Sequence, residues 1–188
     1  MFQLEFIYNS SNNMGTRNIT AVRVGGKIKV AQYGQWDGYP TGAGQEIADF
    51  LKKVDLKKFK KQVANLKTYT KSAIEKAYTD AGWNGKDEYI PSNVSDAKNR
   101  AHPALDRDHG ASILKLIHDG TVTKVQFCND YNVKTGQVSP NTWCEYWYLI
   151  DLDKKTVSIN GGKAFSFKQW TQKGFMKKLS EREDNPFT

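Results

Sequence analysis

Residues 19–33 read ITAVRVGGKIKVAQY, two runs rich in β-branched residues joined by Gly25-Gly26. A two-residue hairpin turn needs positive φ at its central positions, which glycine adopts without steric cost. The stretch therefore reads as a β-hairpin. Upstream, residues 2–8 (FQLEFIY) alternate apolar and polar side chains and read as a further strand, followed by a polar loop to residue 13. Downstream, TVTKVQFC (121–128), TWCEYWYLIDL (142–152), KTVSIN (155–160) and KAFSF (163–167) have strand character and are separated by turn-forming segments. The run 143–152 is apolar or aromatic at most positions, the pattern of a central strand.

Between the two strand groups the period changes to that of a helix. Ile47, Phe50, Leu51 and Val54 recur at spacings of three and four, and Leu56, Phe59, Val63 and Leu66 repeat the pattern behind Asp55 as N-cap. Further helices are expected over 70–81 with Gly82 as the stop, over 106–118 with Gly120 as the stop, and over 168–183. Residues 83–105 show no clean period and read as a surface segment. The expected fold is an α+β single domain with a mainly antiparallel sheet and four to five helices. Its parts are an extension or edge strand at 1–13, a domain over 14–188, and a lysine-rich helical insert around 52–86.

Composition narrows the classes. A chain of 188 residues with 38% hydrophobic side chains has enough apolar mass for one buried core. No apolar run approaches the roughly 20 residues of a membrane span, and the first fifteen residues lack the basic flank and apolar stretch of a secretory signal. Cys128 and Cys144 have neither zinc spacing nor the density of a disulfide scaffold, so a cytoplasmic setting is expected. The charge of +8 is concentrated: residues 52–86 hold ten lysines against three acids. Such a stretch is either a solvated coat or a footprint for phosphate-bearing partners.

Four blocks carry a resemblance. MGTRNITAV (14–22), VAQYGQWDGYPTGAGQEIADFL (30–51), HPALDRDHGASILKLI (102–117) and WCEYWYLIDLD (143–153) resemble a family of small phage and bacterial proteins. Its members open on a Met-Gly-Thr-Arg-like start and a hairpin. They then carry a Trp/Phe-Asp-Gly-Tyr-Pro loop, an Arg-Asp-x-Gly-Ala-x-x-Leu helix and a Cys-Glu-aromatic strand. The blocks span most of the chain from Met14 to about Gly162. The resemblance implies a shared fold and a phage or mobile-element setting, hence a host-cell cytoplasm. It supplies no reaction, because the family has no settled activity. This chain departs from the pattern in the thirteen residues before Met14 and in its lysine-rich middle.

The most distinctive chemistry lies in GQWDGYPTGAG (34–44). Two aromatics flanking an Asp-Gly turn offer ring faces for stacking, and the carboxylate accepts hydrogen bonds from a base or ribose. The plainer reading packs both rings beneath the loop and leaves Asp37 to cap a turn. The glycines at 42–44 lead toward a helix N-terminus, where free N–H groups favour a phosphate. Arg17 adds a planar fork for an anion, or pairs with a carboxylate such as Asp37 or Glu145. Glu145, inside an aromatic strand, calls for a partner, with Arg17 and Arg107 as candidates. The candidate ligand-binding set is Arg17, Gln32, Tyr33, Gln35, Trp36, Asp37, Tyr39, Arg107 and Glu145. No Walker or GxGxxG motif occurs. His102, Asp106, Asp108 and His109 are metal-type residues without ligand spacing, and Cys144 with His109 lacks the flanks of an activated thiolate. No metal, cofactor or catalytic residue is assigned.

The expected function is accordingly capture of an anionic, nucleotide-like small molecule, with sequestration of a host immune signal as counter-defence following from the resemblance. The alternatives are a nucleic-acid- or host-protein-binding inhibitor acting through the lysine-rich helices, and a hydrolase using Asp37, Glu145 or His109.

Overall fold

A computed structural model of the chain describes residues 15–86, 89–128, 131–132, 134–138 and 144–183. The strand expected at 2–8, the extension to residue 13, Met14 and Trp143 lie outside them. The described chain forms nine strands: β1 (Asn18–Val24), β2 (Lys27–Gly34), β3 (Lys67–Thr68), β4 (Lys124–Val125), β5 (Tyr131–Asn132), β6 (Gln137–Val138), β7 (Tyr146–Asp151), β8 (Thr156–Ile159) and β9 (Ala164–Ser166). Seven α-helices accompany them: α1 (Gln45–Lys53), α2 (Leu56–Asn65), α3 (Lys71–Asp80), α4 (Ser92–Ala101), α5 (Ile113–His118), α6 (Phe167–Trp170) and α7 (Phe175–Glu183). The main sheet has the order β2-β1-β7-β8-β9, and three of its four pairings are antiparallel. The fold is α+β, as the pattern requires.

β1 and β2 form the expected hairpin, with Gly25 and Gly26 at φ +59° and +72°. The aromatic strand β7 lies at the sheet's centre, paired in parallel with β1 and antiparallel with β8. Side chains alternate between two unequal cores. Val22, Val30, Tyr148, Ile150, Val157 and Ile159 join the main core with Ile47, Phe59, Ile113, Ile117 and Trp170 from the helices. Ile19, Ala21, Ile28 and Ala31 face the other way and pack with Tyr131 and Cys144.

Three local readings are corrected. The segment 83–105 contains α4, whose buried positions are Val94 and Lys98. A lysine on the inward face hides the period from any count of apolar residues. Its ammonium donates to the Leu105 carbonyl at 2.6 Å, and burial draws its pKa below the usual lysine value. The helix expected over 106–118 begins only at Ile113, after a tight turn over Gly110–Ser112 with Gly110 at φ +50°. The last expected helix is two: a Ser166/Gln169 capping box starts α6, and the chain turns again before α7. The lysine-rich stretch docks on the sheet through α2, whose Phe59 and Val63 are fully buried in the main core.

Asp55 caps α2, its carboxylate accepting from the Lys57 and Lys58 amides at 3.0 Å each. These bonds, the Lys58 amide foremost, hold its carboxyl below the ordinary 3.8. A depressed folded-state pKa contributes stability that is present above the unfolded value and lost as pH falls through the folded one. Asp55→Ala is therefore expected to lower Tm at pH 7, with the deficit shrinking below about pH 4 and Asp55→Asn retaining most of the stability. Thermal melts of the three proteins across pH check this.

Candidate functional site

The breaker-rich loop after β2 is tied to the core by two buried aromatics. Tyr148, on the central strand, donates its hydroxyl to the Gly38 carbonyl at 2.6 Å, and Trp170 Nε1 donates to the Gly44 carbonyl at 3.2 Å. Both rings are fully buried and meet edge to face, with centroids 6.0 Å apart. Within the loop, Asp37 sits in the left-handed region at φ +51° and its carbonyl accepts from Ala43 N–H at 2.7 Å. A Cβ on Gly42 would collide with that carbonyl oxygen, so only glycine lets the loop close on itself.

This closure corrects one expectation. Pro40–Gly44 winds as a wide turn directly into α1, and the amides of Gly42 and Ala43 already donate to Tyr39 and Asp37. They form no phosphate cradle. The aromatics do not pack beneath the loop either: Trp36 is 54% exposed and Tyr39 37%. One part of the Trp36 ring rests against Gly15, and Tyr39 donates its hydroxyl to Asp37 Oδ1 at 2.9 Å, which pushes the phenol pKa up.

Opposite this loop runs a second wall, residues 106–111. A polar seam at one end of the hairpin, on the face toward the main core, fixes both walls. Asn18, 1% exposed, donates Nδ2 to the Trp36 carbonyl at 3.0 Å. Gln32, 4% exposed, donates Nε2 to the carbonyls of Asp106 and Arg107 at 2.9 and 3.2 Å. Where the walls meet, a Cβ on Gly34 would lie 2.8 Å from the Gly110 Cα. Between them is a cleft of about 300 Å³ lined by Asn18, Trp36, Asp37, Glu46, Asp108 and His109, with glycine and alanine backbone as the rest of its lining.

Two buried acceptors and three carboxylates stand in the walls of this cleft. Asn18 must turn its amide nitrogen toward two carbonyls, Trp36 and Gly34, which leaves the buried Oδ1 an acceptor without a partner. Ser112 Oγ donates to the His109 carbonyl at 2.8 Å, so it can only accept from His109 Nδ1 at 3.2 Å. That assigns the neutral ring as the Nδ1–H tautomer and makes the buried, unpartnered Nε2 another acceptor. Asp37, Glu46 and Asp108 add carboxylates. Burial in the cleft wall raises the pKa of Glu46, and burial likewise raises that of Asp108 against the opposing charge of Arg107.

The candidate set from the sequence does not converge here as a whole. Trp36 and Asp37 line the cleft, and Tyr39 bonds to Asp37. Gln32 is a buried tie. Arg107 contacts Asp108 at 3.2 Å and lies 5.9 Å from the Tyr33 ring centroid. Tyr33 faces the sheet's other side and donates to Gln35 Oε1 at 2.7 Å. Arg17 pairs with Glu145, whose carboxylate accepts its backbone N–H at 2.7 Å, so the arginine does not face Asp37 across the cleft. The metal-type residues separate: His102 lies at another cleft, and among the described residues no three metal-type side chains are placed to hold an ion. Cys144 belongs to the small core on the opposite face from His109. In the lysine-rich stretch, Lys52, Lys60, Lys71 and Lys76 pair with Asp49, Asp153, Glu75 and Asp80, as a solvated coat does. Asn18, Glu46 and the role of His109 were not readable beforehand, since only tertiary contact brings these segments together.

Tyr148→Phe removes one hydroxyl and leaves the Gly38 carbonyl without its buried donor. An acceptor so orphaned costs about 1–3 kcal/mol, or roughly 2–12 °C in Tm for a chain of this size. Calorimetry checks the loss, and hydrogen exchange at residues 36–44 should rise with it.

No family model matches the chain, no curated protein matches it, and no solved structure matches it.

Proposed function

We propose that the protein is a small-molecule-binding module whose cleft captures a planar, nucleobase-like ring rich in hydrogen-bond donors. The observation that carries this reading is an exposed tryptophan on an immobilised loop, beside a cleft lined by the three carboxylates of Asp37, Glu46 and Asp108. Trp36 supplies a stacking face. The carboxylates of Asp37, Glu46 and Asp108 supply acceptors for ring and exocyclic N–H groups or ribose hydroxyls. The carboxylates disfavour a phosphate inside the cleft, so a nucleotide-like ligand enters base first. The resemblance to phage and bacterial proteins supports a setting in which capture is itself the function: sequestering a nucleotide-derived host signal as counter-defence.

The paired substitution Trp36→Ala and Asp37→Asn tests this, with asparagine chosen because it tolerates the left-handed backbone of that position. Loss of a base–aromatic stack is worth about 1–3 kcal/mol, so nucleoside affinity should fall roughly 5- to 150-fold while Tm moves by less than about 2 °C. Mass spectrometry of molecules released on denaturing the purified protein chooses the nucleoside to titrate. A large fall in Tm with unchanged affinity would make the loop structural and end the reading.

In the same titration the nucleoside should bind at least as tightly as its 5′-monophosphate. A strong preference for the monophosphate that Trp36→Ala abolishes, and that is therefore exercised in this cleft, would contradict the charge argument.

A further inference from the structure

The second cleft has the opposite charge. Its volume is about 210 Å³, and it is lined by Tyr69, His102, Thr121, Thr123 and Lys124, with no carboxylate in its lining. The two-stranded ladder beside it places Lys67 directly opposite Lys124 in parallel register. Opposed residues of neighbouring strands project to the same side, and like charges so placed are destabilising. Both side chains are exposed, and among the described residues no acid pairs with either. What sets the pair apart is the register, which puts two lysines directly opposite one another on neighbouring strands.

Neighbouring groups complete the arrangement. Lys124 Nζ lies 5.8 Å from the centroid of the Tyr69 ring, and the Tyr69 hydroxyl is 3.5 Å from His102 Nδ1. The ladder is held on both sides of the lysine pair, by Lys67 N–H to the Thr123 carbonyl at 3.2 Å and Tyr69 N–H to the Val125 carbonyl at 2.9 Å. Tyr69, Thr121 and Thr123 therefore share the lining of the cleft with Lys124, and Lys67 stands opposite Lys124 on the neighbouring strand. A space of this size falls below the roughly 300–1,000 Å³ of sites for drug-sized ligands.

We propose that Lys67 and Lys124, with Tyr69 and the threonines, form a binding site for one phosphate-type oxyanion, free or as the terminal group of a small molecule. The anion relieves the repulsion between the lysines and takes the hydroxyl hydrogen bonds. This site is separate from the Trp36 cleft and stands whether or not that cleft binds a nucleobase.

The test is a thermal-shift and calorimetric titration of the full chain with inorganic phosphate and, in parallel, ribose 5-phosphate. At ligand concentrations near 100 times Kd, the wild-type Tm should rise by a few degrees. Lys67→Gln with Lys124→Gln should abolish that rise while leaving the phosphate-free Tm equal or higher, because the repulsion is gone. Trp36→Ala should respond to phosphate as the wild type does. A preference for the sugar phosphate assigns the anion to a small molecule, and equal binding assigns it to free phosphate. The proposal is overturned by the absence of any phosphate-dependent shift, by an unchanged shift in the double glutamine variant, or by binding of a generic oligonucleotide that neither phosphate compound displaces.

Discussion

The Tyr148 hydroxyl is buried at the centre of the sheet and donates to the Gly38 carbonyl, and the position of the glycine-rich loop depends on that bond. A phenol removed from water needs an acceptor, and a loop carbonyl turned inward needs a donor; each group's cost of desolvation is met by the other. Trp170 Nε1 repeats the arrangement at Gly44. Two core aromatics thus fix both halves of a segment whose composition alone suggests mobility. Trp36 is exposed because the backbone around it is anchored, so its ring is presented rather than stored.

The polar seam of Asn18 and Gln32 has a related logic. Fully buried amides and hydroxyls on a strand face weaken a core unless they are used. Gln32 spends its amide on two carbonyls of the 106–111 wall, and Asn18 spends its amide on the 34–36 wall. The seam therefore joins two loops that are distant in sequence and sets the width of the gap between them. A cleft held from both sides would need little further ordering to bind, which is where much of the affinity of a rigid site originates.

What the sequence made legible follows from which physical signals are local. The Gly25-Gly26 turn, the central place of 143–152 and the amphipathic faces around Ile47 and Phe59 need no tertiary context, and they read correctly. α4 escaped notice because Lys98 stands at an inward position, and the break before Ile113 because Gly110 acts through a close approach to Gly34. The parallel pairing of β1 with β7 joins residues more than a hundred positions apart. The loop at 34–44 announced itself by composition, yet its partner wall did not. Asp108 and His109 read as a metal-type cluster, and Asn18 as an ordinary strand residue, because their shared cleft exists only after the hairpin and the 106–111 turn meet.

Net charge and local charge then act at different ranges. The formal +8 draws anions from a distance comparable to the Debye length, about 8 Å at physiological salt. On the two proposals made above, the carboxylates of the Trp36 cleft select donors at contact, while the Lys67–Lys124 ladder selects an oxyanion. A molecule carrying both a donor-rich ring and a phosphate is attracted by the whole surface and sorted by its two ends, since neither cleft suits the other's group. On that reading the basic composition describes how a ligand arrives, and the carboxylates of the Trp36 cleft describe which part of it would be held there.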